Sequence, residues 1–179
     1  CCDTIGPQAG DIGRTVWLCA GMPQHVPGTT IDRQCGSSQH AMHFAAPAVM
    51  AGTNDLVIAG GLQNMSAIPI SSAMVVGEQF GFTTPFAESP GWNARFGDQE
   101  VSQFRAAEMI AEHWNITREA MEQFAFESHQ RAIAAADAGY FANEIAPLNG
   151  LAHDEGPRRD TTLERMACLK TLSEGGRIT

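Results

Sequence analysis

The sequence predicts an α/β fold, and three observations carry that expectation. The first sixty residues alternate helical and extended patterns in the order helix, strand, helix, strand, as in a layered sheet covered by helices. The run Asp55-Leu56-Val57-Ile58-Ala59 is short, continuous and apolar, the pattern of a strand buried on both faces. Gly21, Pro23, Pro27-Gly28 and Gly52 fall between these stretches, where chain reversals belong.

Taken in order, Cys1 to Gly6 reads as a strand end and Gly6 to Gly10 as a turn-rich loop. Asp11 is placed to cap a helix from Ile12 to about Ala20, with Gly21 and Pro23 as its stop. Residues 28–34 (GTTIDRQ) read as extended. Residues 35–52 (CGSSQHAMHFAAPAVMAG) read as helical, with Ala41, Phe44, Ala45, Ala48, Val49 and Gly52 on one small or apolar face. Pro47 removes one donor from that helix and should kink it. Residues 66–90 carry Pro69, Gly77, Gly81, Pro85 and Pro90 and no sustained period, so an irregular functional loop with one short amphipathic piece is expected. A helix follows from about Gln99 to Trp114, with Val101, Phe104, Ala107, Glu108 and Ala111 on one face. Thr117 then caps a last helix, which reaches about Ala138 before Gly139.

Composition narrows the function classes. Eleven Lys and Arg against twenty Asp and Glu leave a net charge of −9, which argues against a nucleic-acid partner. No run of apolar residues is long enough for a membrane span. Five cysteines, at 1, 2, 19, 35 and 168, are odd in number and irregularly spaced, which suits a reducing, cytoplasmic setting better than a disulfide framework. No metal is expected. Cys1-Cys2 lacks a C-x-x-C partner, and His40 with His43 supplies only two ligands on one helix.

Cys35 is the most informative residue. A lone cysteine in an apolar stretch is more often an inert buried side chain. Its place at an extended-to-helical junction, followed by Gly36, Ser37 and Ser38, reverses that expectation. The positive end of the helix and its unpaired N–H groups favour the thiolate. Small neighbours let a carbonyl approach and let backbone amides face the oxyanion. The arrangement is similar to the strand-to-helix elbow of hydrolases, with sulfur in place of oxygen. No partner base is evident: His40, five residues on, lies about 140° around and roughly 7.5 Å along a helix.

Residues 27–66, which contain this junction and end in Ala59-Gly60-Gly61-Leu62-Gln63-Asn64-Met65-Ser66, resemble the nucleophile region of the thiolase family. Residues 115–148 resemble that family's helical loop-domain segment, and Asp154-Glu155-Gly156-Pro157-Arg158 its D-E-x-x-R segment. The three blocks occur in family order and cover nearly the whole chain. The resemblance implies a thiolase-like layered fold that is incomplete here, with the first half of the sheet core and a mainly helical loop domain. The implied division is 1–66 for the partial core, 67–172 for the loop domain on the coenzyme A side, and 173–179 for a return to the core.

The activity implied is ping-pong acyl transfer through a Cys35 thioester, in thiolysis of 3-ketoacyl-CoA or condensation of acetyl-CoA. Coenzyme A and acyl-CoA are then substrates, with no bound cofactor, in a homodimer or homotetramer. The residues carried over are Cys35 as nucleophile; Gly36, Gly60 and Gly61 as the oxyanion and active-site loop; Arg158, Ser102 and Gln103 on the coenzyme A side; and Met65 and Met74 in the acyl pocket. Ser102-Gln103 stands where short-chain biosynthetic members carry His-Met, a departure that argues against carrying acetoacetyl specificity over. The family's G-H-P, C-x-G-G-G and N-E-A-F motifs, which supply its second cysteine, histidine and asparagine, are absent from this sequence. The chain alone is therefore expected not to turn over. Two alternatives remain at this point: another condensing enzyme of the same superfamily, and a non-catalytic module that binds coenzyme A or acyl groups.

Overall fold

The computed structural model describes residues 3–86 and 88–179; Cys1 and Cys2, with their part of the expected strand end, lie outside the described residues. The chain divides into two compact units, Cys1–Asp98 and Gln99–Thr179.

In the first unit, α1 (Ile12–Cys19) is capped by the Asp11 carboxylate, which accepts from the Arg14 backbone N–H at 3.2 Å. Gly21, at φ 74°, lets the chain leave the helix in the left-handed region that glycine adopts without strain. The Arg14 guanidinium donates to the carbonyls of Gln24 and Val26, and the Trp17 indole donates to Pro23 O at 2.8 Å. These bonds fold residues 23–30 back along α1. Gly28 permits the approach, because a Cβ there would lie 2.7 Å from the Arg14 backbone nitrogen. Next comes α2 (Ser37–Met50), which continues through Pro47.

The stretch expected to be irregular contains α3 (Ser72–Val75), a 3₁₀ turn at Val76–Phe80 and α4 (Pro90–Phe96). The signal for α4 is present in the sequence: Ser89 caps it, and Pro90 supplies the fixed φ favoured at a first helical position. Ser71, at φ 71°, caps α3 without its own side chain. The buried Asp3 carboxylate does so instead, accepting from Ser71 N at 3.2 Å and Ala73 N at 2.7 Å. Gln8 completes the strap, donating to Asp3 O at 2.7 Å and accepting from Asn64 N at 2.8 Å.

The expected strands call for a correction. Residues 28–34 and 55–59 are largely non-helical, yet among the described residues no strand ladder forms. The β-pairings among those residues are two isolated bridges, Arg33 with Cys35 and Leu148 with Leu151. The physical reason is non-local: a strand exists only when a neighbour accepts and donates along it. No described segment pairs with residues 55–59, and Leu56 and Ile58 are 83% and 72% exposed. The family's domain implies the α/β layering; among the described residues the sheet is not formed.

In the second unit, α5 (Gln103–His113), α6 (Arg118–Asp137) and α7 (Leu163–Ala167) each begin on a capping hydroxyl, from Ser102, Thr117 and Thr162. Residues 99–102, expected to be helical, are not, because Ser102 takes the cap position and accepts from Arg105 N. Gly139, at φ 77°, follows the end of α6. Two arginines tie the helices together. Arg118 pairs with the buried Glu122 at 2.6 Å and donates to the carbonyls of Met166, Ala167 and Leu169. Arg177 donates to Ala111 O and Ile116 O, while Glu108 accepts from the Arg177 and Ile178 amides at 2.6 and 2.7 Å.

The apolar core is small. Ala111 is the one fully buried apolar side chain among the described residues. The chain exposes 13891 Å². Two separate compact bodies of these sizes would expose roughly 10,000 Å².

Candidate active site

Three links build the turn before α2. The Asp32 carboxylate accepts from Gln34 N at 3.1 Å. Gln34 takes φ 49°, a left-handed conformation uncommon for a residue with a side chain and one that gathers at functional sites. Ser37, buried, donates its hydroxyl to Gln34 O at 2.6 Å and accepts from Arg33 N at 2.9 Å. Cys35 is held between these ties. Gly36 is the N-cap, so Cys35 stands just outside α2 rather than on its first turn, and its side chain is exposed. The amides of Gly36 and Ser37 donate to Arg33 O and Gln34 O, both at 3.1 Å.

The second piece is the 60–61 loop. A Cβ on Gly61 would overlap the Ser38 hydroxyl, whereas one on Gly60 would meet nothing within 4 Å. Only glycine at 61 lets this backbone lie against the first turn of α2. The structure thus brings Gly60-Gly61 to the end of the helix that Cys35 precedes.

His40 is engaged elsewhere. Its Nδ1 lies 3.2 Å from Arg33 Nη1, and its ring meets Phe44 at 4.5 Å between centroids. A guanidinium has only donors, so Nδ1 is the acceptor there. His43 is exposed. Among the described residues no three His, Cys, Asp or Glu side chains are grouped to hold a metal.

The sequence from Gly6 to the last residue matches the N-terminal domain of thiolases, residues 6–179. The chain belongs to the thiolase family. It is 58% identical to a steroid 3-ketoacyl-CoA thiolase of Mycobacterium tuberculosis over the whole chain and 45% of that protein. It is 40% identical to a beta-ketoadipyl-CoA thiolase of Acinetobacter baylyi and 36% identical to a 3-oxoadipyl-CoA/3-oxo-5,6-dehydrosuberyl-CoA thiolase of Escherichia coli. Each of these two matches covers 95% of this chain and 46% of the relative. The chain thus spans about half the length of the curated relatives it matches.

The remaining residues carried over from the thiolase resemblance fall in other places. Met65 is exposed. Met74 lines a groove of about 290 Å³ with Ala73, Val76, Phe82, Pro85 and Glu88, among others. Ser102 caps α5 and Gln103 is its first residue. Arg158 sits in the irregular 154–160 segment, where its backbone N–H donates to His129 Nδ1 at 3.1 Å. Arg159 forms a two-toothed pair with Asp137 at 3.0 and 2.5 Å, and Arg165 reaches Asp160 at 2.5 Å. The bond from Arg159 holds the Asp137 carboxyl below its ordinary range, and the bond from Arg165 does the same for Asp160.

Several contacts within each unit are invisible to pattern reading. Asp3 and Ser37 in the first unit and His129 in the second act through partners chosen by the fold, and no spacing rule points to them. Gln34 is the exception: Asp32 two residues earlier is an Asx-turn signal that marks the bend.

Proposed function

We propose that this chain is the nucleophile-bearing part of an acyl-CoA C-acyltransferase, with Cys35 as the acyl carrier. One observation carries the reading. The left-handed turn at Gln34 sets an exposed Cys35 at the N-terminal end of α2, where Gly61 lies against Ser38. In thiolysis, the Cys35 thiolate attacks the 3-keto carbon of a 3-ketoacyl-CoA. The C2–C3 bond breaks, acetyl-CoA leaves after its α-carbon takes a proton, and the acyl group remains as a thioester on sulfur. The sulfur of a second coenzyme A then attacks that carbonyl and regenerates the thiolate. Sulfur serves because it is both a good nucleophile and a good leaving group. Condensation of two acetyl units is the same path reversed.

Within this reading, Gly36, Gly60 and Gly61 form the loop around the reacting carbonyl. The Gly36 amide already donates to Arg33 O, so the oxyanion relies on other amides at the turn, that of Cys35 first. Met65 and Met74 belong to the acyl pocket. Arg158, with Ser102 and Gln103, belongs to the coenzyme A side. The division at 66 and 172, a dimeric or tetrameric assembly and a cytoplasmic location are parts of the same proposal. The relative named a steroid 3-ketoacyl-CoA thiolase supports 3-ketoacyl-CoA as the substrate class.

The test is mass spectrometry of the chain after incubation with acetyl-CoA. Cys19, Cys35 and Cys168 are all exposed, so access alone predicts equal labelling. The expected result is one acetyl group on Cys35, lost in Cys35→Ser and kept in Cys19→Ala and Cys168→Ala. Equal modification of the three cysteines overturns the assignment. Steady thiolysis by the chain alone would overturn the expectation that its acid and base groups are supplied by sequence it does not contain.

A further inference from the structure

We infer that His129 is a positioning residue that fixes the backbone of Arg158 for an anionic ligand, an inference that rests on the proposed coenzyme A role of Arg158. The 154–160 segment has no regular structure, and it is tied down at several points. Asp154 accepts from Gly156 N at 2.9 Å within it. His129 Nδ1 accepts from Arg158 N, and Asp137 accepts from the Arg159 guanidinium. His129 and Asp137 are eight residues apart on α6, about 80° around and about 12 Å along, so they hold the segment against one broad face of that helix. The ties have unequal effects on charge. Arg159 is matched by Asp137 and Arg165 by Asp160. Among the described residues the Arg158 guanidinium forms no ion pair. Its charge helps to hold the Asp160 carboxyl down, after the larger effect of Arg165, but among these residues it has no direct carboxylate bond, and a phosphate group suits its planar fork.

The contact also sets the state of the imidazole. An N–H donor requires a bare Nδ1, so His129 is neutral with its proton on Nε2. If that acceptor is removed, the segment must be ordered by the ligand itself, and affinity falls by the worth of about one hydrogen bond.

The experiment titrates coenzyme A calorimetrically into the 179-residue chain and into His129→Leu, His129→Asn and Arg158→Gln. His129→Leu is expected to weaken binding about fivefold, the effect of one such bond. His129→Asn is expected to recover most of it, because its amide oxygen stands near the place of Nδ1. Nitrogen-15 spectra are expected to show an unprotonated Nδ1. Exchange of the Arg158 amide should be slow in the parent and in His129→Asn, and fast in His129→Leu. A protonated Nδ1, or His129→Asn behaving like His129→Leu, overturns the inference. Unchanged binding by Arg158→Gln sinks the coenzyme A assignment and this inference with it. Weak binding by Arg158→Gln together with parental binding by His129→Leu sinks the inference alone.

Discussion

The two compact units solve the same problem in different ways. Unit two satisfies its backbone from within its own span. Its helices bond internally, Arg118 and Arg177 donate to carbonyls at the ends of α7 and α5, and Glu108 accepts from the 177 and 178 amides, contacts that reach across 48 to 70 positions of sequence. Unit one contains extended stretches whose amides and carbonyls need a neighbouring strand, and none forms among its described residues. It is held by point contacts instead: Asp3 on α3, Gln8 on Asn64, Arg14 on the 24–26 carbonyls. The lesson is that a helix carries its own partners and a strand does not. Cys35, the proposed acyl carrier, lies in unit one.

Arg118→Ala is the largest expected break in that contrast. It removes three carbonyl contacts and leaves Glu122, 9% exposed at its side chain, without its cation. A loss of about 3 kcal/mol is expected, the range for stripping one partner from a mostly buried pair. Hydrogen exchange should quicken in α6 and α7 and stay unchanged in α1; uniform quickening would mean the units are not separate. Gly61→Ala tests the other side. The added methyl must displace Ser38, at a cost of about 1–3 kcal/mol for an overfilled contact. Iodoacetamide alkylation of Cys35 should change in rate while Cys168 does not; an unaltered Cys35 rate would show that the 60–61 loop is not part of the site.

Thr117→Ala should cost about 1 kcal/mol by removing the α6 cap, read as a shift in urea midpoint. Acid is the gentlest probe. The Asp137 and Asp160 carboxyls are depressed in the folded chain, by bonds from Arg159 and Arg165 respectively. Their contribution is therefore full above the ordinary carboxylate pKa of about 3.9 and is lost as pH falls through the lower folded values. Both groups are solvent-exposed, so only slight loosening of residues 154–165 is expected, seen as faster amide exchange below about pH 4. Loosening that sets in near neutral pH would contradict the assignment.

The starts of α1 and α6 were legible. Asp11 and Thr117 stand where α1 and α6 begin, and Gly21 and Gly139 stand where the chain turns away from them. These are local signals, decided within a few residues by which backbone groups lack partners. The short α3 and α7 were not seen. A four- or five-residue helix has no period to read, and α3 takes its cap from Asp3, seventy positions away from Ala73. Cys35 was legible as a nucleophile candidate because the small residues after it are contiguous. Its placement outside the first turn was not, since that depends on the conformation of Gln34.

The sequence by itself determined the family and the starts of α1 and α6, and it singled out Cys35 as the candidate nucleophile, because caps, glycine stops and contiguous motifs act over a few residues. Only the tertiary structure decided that Gly61 meets Ser38, that His40 turns to Arg33, that His129 holds Arg158, and that the 55–59 run stands without a ladder. Those outcomes depend on which distant groups the folded chain brings within 3 Å or so of one another. Local propensity does not encode that distance, because it arises when many weak contacts close at once.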